Sequence, residues 1–154
     1  PGVRLVASMH PTPATSDMPW AEDRLGPARL ERAYAWRRFL DLGVPLALGS
    51  DFPVEQVDPC LGLHAAVTRQ DRDGQPPGGW LPGQRLTAAE ALRGFTATAA
   101  WAGHDEAEVG RLAPGLRADF VILDRDPLAI PAAELDDLQI RSTWVDGEAV
   151  YTAE

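Results

Sequence analysis

Lysine is absent from the chain, cysteine occurs once and histidine occurs three times. The single cysteine, Cys60, excludes an internal disulfide and fits a reducing cytoplasm. No apolar run approaches the ~20 residues that a membrane-spanning helix needs. The 14 basic residues, all arginine, are outnumbered by 23 acidic ones, and the net charge of −9 argues against nucleic acid or a membrane surface as a partner.

Length and composition set the scale of the fold. With 154 residues, 45% of them hydrophobic, the chain suits one globular domain with a core, or pieces of two domains. The first residue is Pro1 rather than methionine, and from this we expect a piece of a longer polypeptide.

A short apolar strand that ends at a carboxylate is the most informative segment. The strand is predicted over residues 45–49 and is followed by Asp51; a helix is predicted over residues 27–43, a loop over residues 12–26 and a first strand over residues 3–9. A strand without polar alternation that follows a helix is typical of a parallel sheet covered on both faces. Because ligands bind beyond the carboxyl ends of such strands, Asp51 is a candidate functional residue. The alternative is an aspartate that caps the next turn.

The second half of the chain changes from helices to strands. Thr87 and Glu90 have capping-box spacing, which predicts a helix that continues to Trp101. Asp146 and Gly147, between alternating strands, predict a hairpin because both turn residues need a positive φ. The other predicted elements are a helix over residues 61–68, a turn-rich segment over residues 71–83 and strands over residues 118–124, 140–145 and 148–151.

Four segments carry distinctive motifs, namely residues 7–12 (ASMHPT), 15–24 (TSDMPWAEDR), 49–55 (GSDFPVE) and 110–120 (GRLAPGLRADF). Together they resemble the metal-dependent amidohydrolase superfamily. More closely, they resemble its amidohydrolase family 3 branch, which includes N-substituted formamide deformylase-like enzymes. The resemblance covers essentially the whole chain.

This resemblance implies an α/β fold with a defined division of the chain. The family forms a (β/α)8 TIM-like barrel with a small β-sandwich, and this chain would supply the last two βα units followed by the C-terminal strands of the sandwich. Residues 3–9 resemble the seventh barrel strand and residues 45–49 the eighth. The expected boundary separates a barrel part, residues 1–104, from a sandwich part, residues 105–154.

The resemblance also implies a chemistry for Asp51. In the family, the acid at the end of the eighth strand binds a divalent metal, often zinc, and handles the proton of the attacking water. Asp51 matches that position as a catalytic and metal-binding residue, and the remaining ligands are expected upstream of this chain. A bridging carboxylated lysine cannot come from these residues. The implied activity is metal-dependent hydrolysis of carbon–nitrogen, non-peptide amide-like bonds in a small-molecule substrate.

Three further residues are candidates for substrate binding: His10, Trp20 and Arg24. His10 follows the first strand, although a solvated loop histidine is the simpler interpretation. Trp20 and Arg24 are predicted on the loop after that strand, where loop packing is an equally simple role for each. Pro13 occupies a position where many relatives have histidine, which implies a different specificity or a loss of activity.

The remaining reactive side chains are predicted to be structural. This applies to His64 on an apolar helix face, to His104 at a helix end and to Cys60. No Gly-x-Ser-x-Gly elbow is present, so serine hydrolase chemistry has no support. The alternative to an enzyme is a non-catalytic orphan fragment or interaction module without a complete metal site, whose open strand edges would favour self-association.

Overall fold

The computed structural model describes residues 5–154 as a mixture of helices and strands, which confirms the predicted α/β class. Two short strands, β1 (Ala7–Met9) and β2 (Leu46–Leu48), pair in parallel. Three helices connect them, namely α1 (Pro11–Leu25), α2 (Pro27–Leu30) and α3 (Trp36–Asp41). The predicted order of a strand, a crossover and a parallel strand is therefore confirmed.

Both parallel strands are shorter than the sequence pattern predicts. Residues 3 and 4 of the first predicted strand lie outside the described residues, and Leu5 and Val6 precede β1 without strand pairing. The backbone N–H of Gly49 donates to the carbonyl oxygen of Met9 at 3.2 Å, so the two chains remain adjacent just beyond their paired residues. All three residues of β2 are buried, as expected for an apolar strand without polar alternation.

The loop predicted over residues 12–26 is wrong, because Pro11–Leu25 is helix α1. Its prolines favoured a loop, but only Pro19 lies in the interior of the helix; Pro11 and Pro13 occupy the first turn. There the backbone N–H groups have no intrahelical acceptor, so proline costs little. The helix is held by tertiary packing, since Ala14 is buried and α1 packs on helix α4 (Pro59–Thr68).

The single helix predicted over residues 27–43 is interrupted. Helix α2 ends at Leu30 and α3 begins at Trp36. Between them Tyr34 has φ 49°, a left-handed conformation through which a right-handed helix cannot continue. Trp36, in the first turn of α3, is fully buried.

Two helix caps follow directly from the sequence. Asp58 Oδ1 accepts a hydrogen bond from the backbone N–H of Cys60 at 2.9 Å and so begins α4. The predicted capping box is confirmed, because Thr87 Oγ1 accepts from the Glu90 N–H at 3.2 Å while Glu90 Oε2 accepts from the Thr87 N–H at 2.8 Å. The helix after this box consists of α5 (Ala88–Arg93), a π turn (Gly94–Thr98) and α6 (Ala99–Gly103). Across residues 5–154, no helix is both long enough and apolar enough to cross a bilayer.

The C-terminal segment is a three-stranded antiparallel sheet in the order β3, β4, β5. The predicted hairpin is confirmed, since Asp146 has φ 52°, Gly147 has φ 79° and Val145 pairs with Glu148 across the turn. The sheet comprises β3 (Phe120–Leu123), β4 (Ile140–Val145) and β5 (Glu148–Thr152), with a 3₁₀ helix at Ala132–Asp137 between β3 and β4.

Two apolar cores hold these elements together. The larger core surrounds β2 and α4, and its buried members include Trp36, Leu46, Leu48 and Leu63. The smaller core packs Cys60 of α4 against Leu135 and Leu138, around the 3₁₀ helix. Burial raises the pKa of the Cys60 thiol to about 12, in keeping with the predicted structural role.

Glu90 gives the fold a specific sensitivity to acid. Its carboxylate accepts from Arg37 Nη1 at 2.8 Å and from Thr87, and these partners lower its pKa to about 2. The pKa of Glu90 in the folded protein lies below its value of about 4.5 in the unfolded chain. The contacts of Glu90 therefore stabilise the fold fully above about pH 4.5, and this stabilisation is lost as the pH falls toward 2. We expect Glu90→Gln to lower the free energy of unfolding by about 1 kcal/mol at neutral pH and by almost nothing near pH 2.

Urea titrations at several pH values measure this difference. The control is Glu148→Gln, which changes an exposed glutamate on β5 and should leave the pH dependence unaltered. An equal loss of stability in the Glu90 variant at every pH would contradict the assignment.

Candidate functional site

The ends of the two parallel strands bring His10 and Asp51 together. Met9 lies opposite Leu48, so the residues that follow emerge at the same edge of the sheet. His10 Nε2 is 4.0 Å from Asp51 Oδ1, and both side chains are 40% exposed. The His10 ring lies over Gly49, where a Cβ atom would be only 3.1 Å from His10 Nδ1. Glycine at this position therefore leaves room for the imidazole.

A tight turn positions Asp51. Its φ of 67° is left-handed, a conformation that aspartate and asparagine adopt more readily than most residues. The carbonyl oxygen of Asp51 accepts hydrogen bonds from the N–H groups of Val54 at 2.9 Å and Glu55 at 3.3 Å. Thr12 Oγ1 donates to the carbonyl oxygen of Ser50 at 3.2 Å, which ties the turn to α1. The carboxylate thus stays half-exposed at the sheet edge and outside the packed interior.

Tyr34 and Asp17 form a second polar pair whose electrostatics reach Asp51. The Tyr34 hydroxyl donates to Asp17 Oδ2. Burial and the Asp17 carboxylate raise the Tyr34 pKa well above its usual value, and the Asp51 charge adds to the effect. The hydroxyl therefore stays protonated and acts as a donor. Sequence reasoning placed Asp17 on a loop and missed Tyr34, which gave no signal because it stood inside an apparently continuous helix.

Trp20 and Arg24 lie on α1 instead of on the predicted loop. The ~1.5 Å rise per helical residue puts them about 14 Å and about 20 Å along the axis from Pro11. Trp20 is 47% exposed, and within residues 5–154 Arg24 forms no ion pair. Substrate binding by either residue stays a prediction.

The other two histidines lie away from the strand ends. His64 is buried in α4, and burial lowers its pKa. His104 is exposed beyond the end of α6, with φ 65°. The described part of the chain contains no group of three histidine, cysteine or acidic side chains able to hold a metal ion. Any metal at Asp51 would therefore need further ligands.

Comparison with known proteins decides the family. The sequence profile described as the amidohydrolase family matches residues 2–151, nearly the whole chain. The chain belongs to the amidohydrolase family. This amidohydrolase chain is similar to the amidohydrolase YtcJ of Bacillus subtilis strain 168, with 37% identity over 147 residues. It is also similar to the N-substituted formamide deformylase of Arthrobacter pascens, with 38% identity over 115 residues.

Each alignment covers most of this amidohydrolase chain and a minor part of the relative. The match takes in 96% of this chain and 28% of YtcJ, and 75% of this chain and 21% of the deformylase. The chain thus spans about a quarter of the length of these relatives.

Solved structures also match most of this chain over a minor part of their own length. A metal-dependent hydrolase of Pyrococcus horikoshii matches 84% of this chain with 30% identity and a TM-score of 0.72, over 26% of its own length. A metal-dependent hydrolase of Pyrococcus furiosus matches 81% of this chain with 34% identity and a TM-score of 0.67. The α/β arrangement described above is therefore shared with part of each of these two metal-dependent hydrolases.

Proposed function

We propose that these residues are the last two βα units of a (β/α)8 barrel, followed by the C-terminal strands of a small β-sandwich, in a metal-dependent hydrolase of carbon–nitrogen bonds. The observation that carries the proposal is the side-by-side placement of His10 and Asp51 at the carboxyl ends of β1 and β2. In α/β barrels, catalytic side chains come from this end of the strands. Residues 1–104 would form the barrel part and residues 105–154 the sandwich part.

Asp51 is the residue that would hold a divalent metal, zinc in this proposal. Its carboxylate suits the task, because it is half-exposed and neither Oδ atom accepts a hydrogen bond from residues 5–154 that would compete. Asp51 is only one ligand, and catalytic zinc takes three protein ligands. The remaining ligands would come from other parts of the complete polypeptide. When bound, such a metal lowers the pKa of water toward neutrality and polarises a carbonyl group.

The proposed role of Asp51 in the reaction is proton transfer. Its carboxylate takes a proton from the attacking water and delivers it to the nitrogen of the leaving amine. Tyr34 cannot replace it as the base, because its raised pKa keeps the hydroxyl protonated. The His10 imidazole is 4.0 Å from Asp51, beyond hydrogen-bond distance, and is therefore free to contact a substrate.

The substrate class follows from the relatives. The deformylase of Arthrobacter pascens is named for N-substituted formamides. We extend the same bond type to this protein, as an amide-like carbon–nitrogen bond in a small molecule.

The test uses the natural polypeptide that contains all the barrel strands. We expect it to release amine from N-substituted formamides, to lose this activity in a chelator and to regain it when zinc is added. The control is the isolated 154-residue chain, which should bind no stoichiometric metal because Asp51 alone is an incomplete site. Amine release that persists after complete removal of the metal would exclude the proposal.

The alternative, a non-catalytic interaction module, applies to the isolated chain. Apolar side chains on the C-terminal sheet are exposed, among them Val121 at 48%, Val150 at 61% and Tyr151 at 51%. These positions favour self-association when the rest of the β-sandwich is missing. Metal analysis of the complete polypeptide distinguishes the two hypotheses, since only the enzyme requires tightly bound metal.

A further inference from the structure

The His10 ring is packed along one edge and accessible along the other. A Cβ atom at position 49 would lie 3.1 Å from His10 Nδ1 and 3.2 Å from Cε1, so this edge of the ring lies directly on the Gly49 backbone. Nδ1 is buried, and residues 5–154 offer it no hydrogen-bond partner. The side chain as a whole is 40% exposed, and its other nitrogen, Nε2, faces Asp51. Nε2 is therefore the ring nitrogen that a bound molecule can reach.

The buried position of Nδ1 determines where the imidazole proton lies. A neutral imidazole has one N–H donor and one bare acceptor nitrogen. A proton on Nδ1 would be a buried donor without an acceptor, which folded proteins rarely contain. A proton on Nε2 lies instead on the side of the Asp51 carboxylate, whose negative charge favours a donor there. His10 thus presents an N–H group at the edge of the sheet.

The separation of His10 and Asp51 matches the size of an amide group. At 4.0 Å, Nε2 is too far from Asp51 Oδ1 for a direct hydrogen bond. Bond lengths of about 1.23 Å for C=O and about 1.33 Å for C–N place the oxygen and nitrogen of an amide about 2.3 Å apart. Two contacts of about 2.8 Å that diverge slightly would therefore join this pair of side chains to the two atoms of one amide. The oxygen is the acceptor, because the nitrogen lone pair is delocalised into the carbonyl group.

The same distance distinguishes His10 from a metal ligand. Two ligands of a tetrahedral zinc ion lie about 3.4 Å apart, because each is about 2.1 Å from the metal. The 4.0 Å between Nε2 and Asp51 Oδ1 exceeds that separation. His10 therefore lies beside the proposed ligand Asp51 without sharing its metal.

We propose that His10 is a catalytic residue whose Nε2–H donates a hydrogen bond to the carbonyl oxygen of the amide, while Asp51 acts on the amide nitrogen. This assignment rests on the hydrolysis of amide-like bonds proposed above. Water adds to the carbonyl carbon, the C=O electron pair moves to the oxygen, and the C–N bond then breaks as Asp51 protonates the nitrogen. Formate and an amine are released from a formamide, and His10 keeps its proton throughout. Because the oxygen gains negative charge in the transition state, the hydrogen bond raises kcat.

Three substitutions of His10 in the natural polypeptide test the position of this donor, with N-butylformamide as the substrate. Glutamine places an amide N–H near the position of Nε2 and should keep kcat within about tenfold of the parent. Asparagine reaches only the position of Nδ1, and phenylalanine fills the space without a donor. Both should lower kcat by about a hundredfold with little change in KM, the loss expected for one donor to the developing oxyanion. His104→Phe is the control, an exposed histidine beyond α6 that should leave kcat within about twofold.

The kinetics separate this proposal from the function on which it rests. A parent polypeptide that releases no amine would refute the hydrolysis itself. A parent that releases amine, together with a His10→Phe variant within threefold of its kcat, would refute the role of His10 alone. Equal activity of His10→Gln and His10→Asn would also refute it, because the effect would then not depend on a donor at the position of Nε2.

The location of the proton is measured without turnover by solid-state NMR of the natural polypeptide with ¹⁵N-labelled histidine. The difference between the spectra of the parent and of His10→Gln gives the His10 signals, at about pH 8.5, where imidazole side chains are ordinarily neutral. We expect a protonated Nε2 and a bare Nδ1, together with unchanged metal content in His10→Phe. A bare Nε2, or loss of bound metal in His10→Phe, would overturn the proposal, because His10 would then be an acceptor or a metal ligand.

Discussion

We expect the Asp51→Asn variant of the complete polypeptide to fold normally and to lose about a thousandfold or more in kcat. General acid–base catalysis contributes roughly 10²–10⁴-fold, and asparagine cannot take a proton from water. The same substitution replaces an anionic metal ligand with a neutral amide. Both losses act on the reaction and should therefore reduce kcat much more than they raise KM.

Asparagine is the right substitution because of the backbone. Asp51 has φ 67°, and asparagine tolerates the left-handed region, whereas alanine would add about 1–2 kcal/mol of strain. The Val54 and Glu55 N–H groups bond to the backbone carbonyl oxygen of Asp51, so the turn survives the change of side chain. A loss of activity in Asp51→Asn then reports on the carboxylate itself.

The measurement combines steady-state kinetics with metal analysis. Asp23→Asn is the matched control, an exposed aspartate on α1 whose change should leave kcat within about twofold. Turnover by Asp51→Asn within tenfold of the parent would remove Asp51 from the mechanism, whatever the metal content.

Local sequence rules predicted those parts of the fold in which neighbouring residues specify the backbone. The Asp146-Gly147 turn and the Thr87–Glu90 capping box both appear as expected. In each case a few adjacent residues satisfy the geometry by themselves, through positive φ or through reciprocal hydrogen bonds. The apolar strand before Asp51 was equally predictable, because burial on both faces leaves no polar alternation.

The errors lie where distant contacts override local preference. Prolines made the segment after His10 resemble a loop, yet packing against α4 stabilises it as α1. Periodicity made residues 27–43 resemble one helix, yet Tyr34 breaks it with a positive φ. Its hydroxyl bonds to Asp17, which is distant in sequence, so no local pattern could reveal the pair. The sequence motifs alone did not predict that His10 lies beside Asp51, because this placement depends on the parallel register of β1 and β2.

Trp36→Ala is expected to lower the free energy of unfolding by about 3–5 kcal/mol, the largest stability loss of any substitution considered for this chain. Trp36 has no exposed surface and belongs to the main core. Its ring packs edge-on against Tyr34 at 6.5 Å between centroids and lies 4.2 Å from the guanidinium carbon of Arg69. Alanine would leave a cavity and would remove one of the two aromatic faces around a buried cation.

Arg69 gives this loss a second source besides apolar burial. The residue is 1% exposed, donates to the carbonyl oxygens of Trp80 at 2.8 Å and Tyr34 at 3.1 Å, and also lies against the Trp80 ring. Burial lowers its pKa to about 10, which measures how unfavourable this environment is for a cation. The aromatic face of Trp36 partly offsets the cost of burying the Arg69 cation. Removal of the Trp36 ring leaves more of that cost uncompensated.

Two further substitutions separate these contributions in urea unfolding followed by circular dichroism. Trp36→Phe keeps an aromatic face over Arg69 and loses no hydrogen bond, because within residues 5–154 the Trp36 Nε1 atom has no acceptor. It should cost about 1–2 kcal/mol, the price of a smaller ring. Trp20→Ala makes the same deletion at a half-exposed position on α1 and should cost under about 0.5 kcal/mol. Equal losses for Trp36→Ala and Trp20→Ala would show that the core does not depend on Trp36.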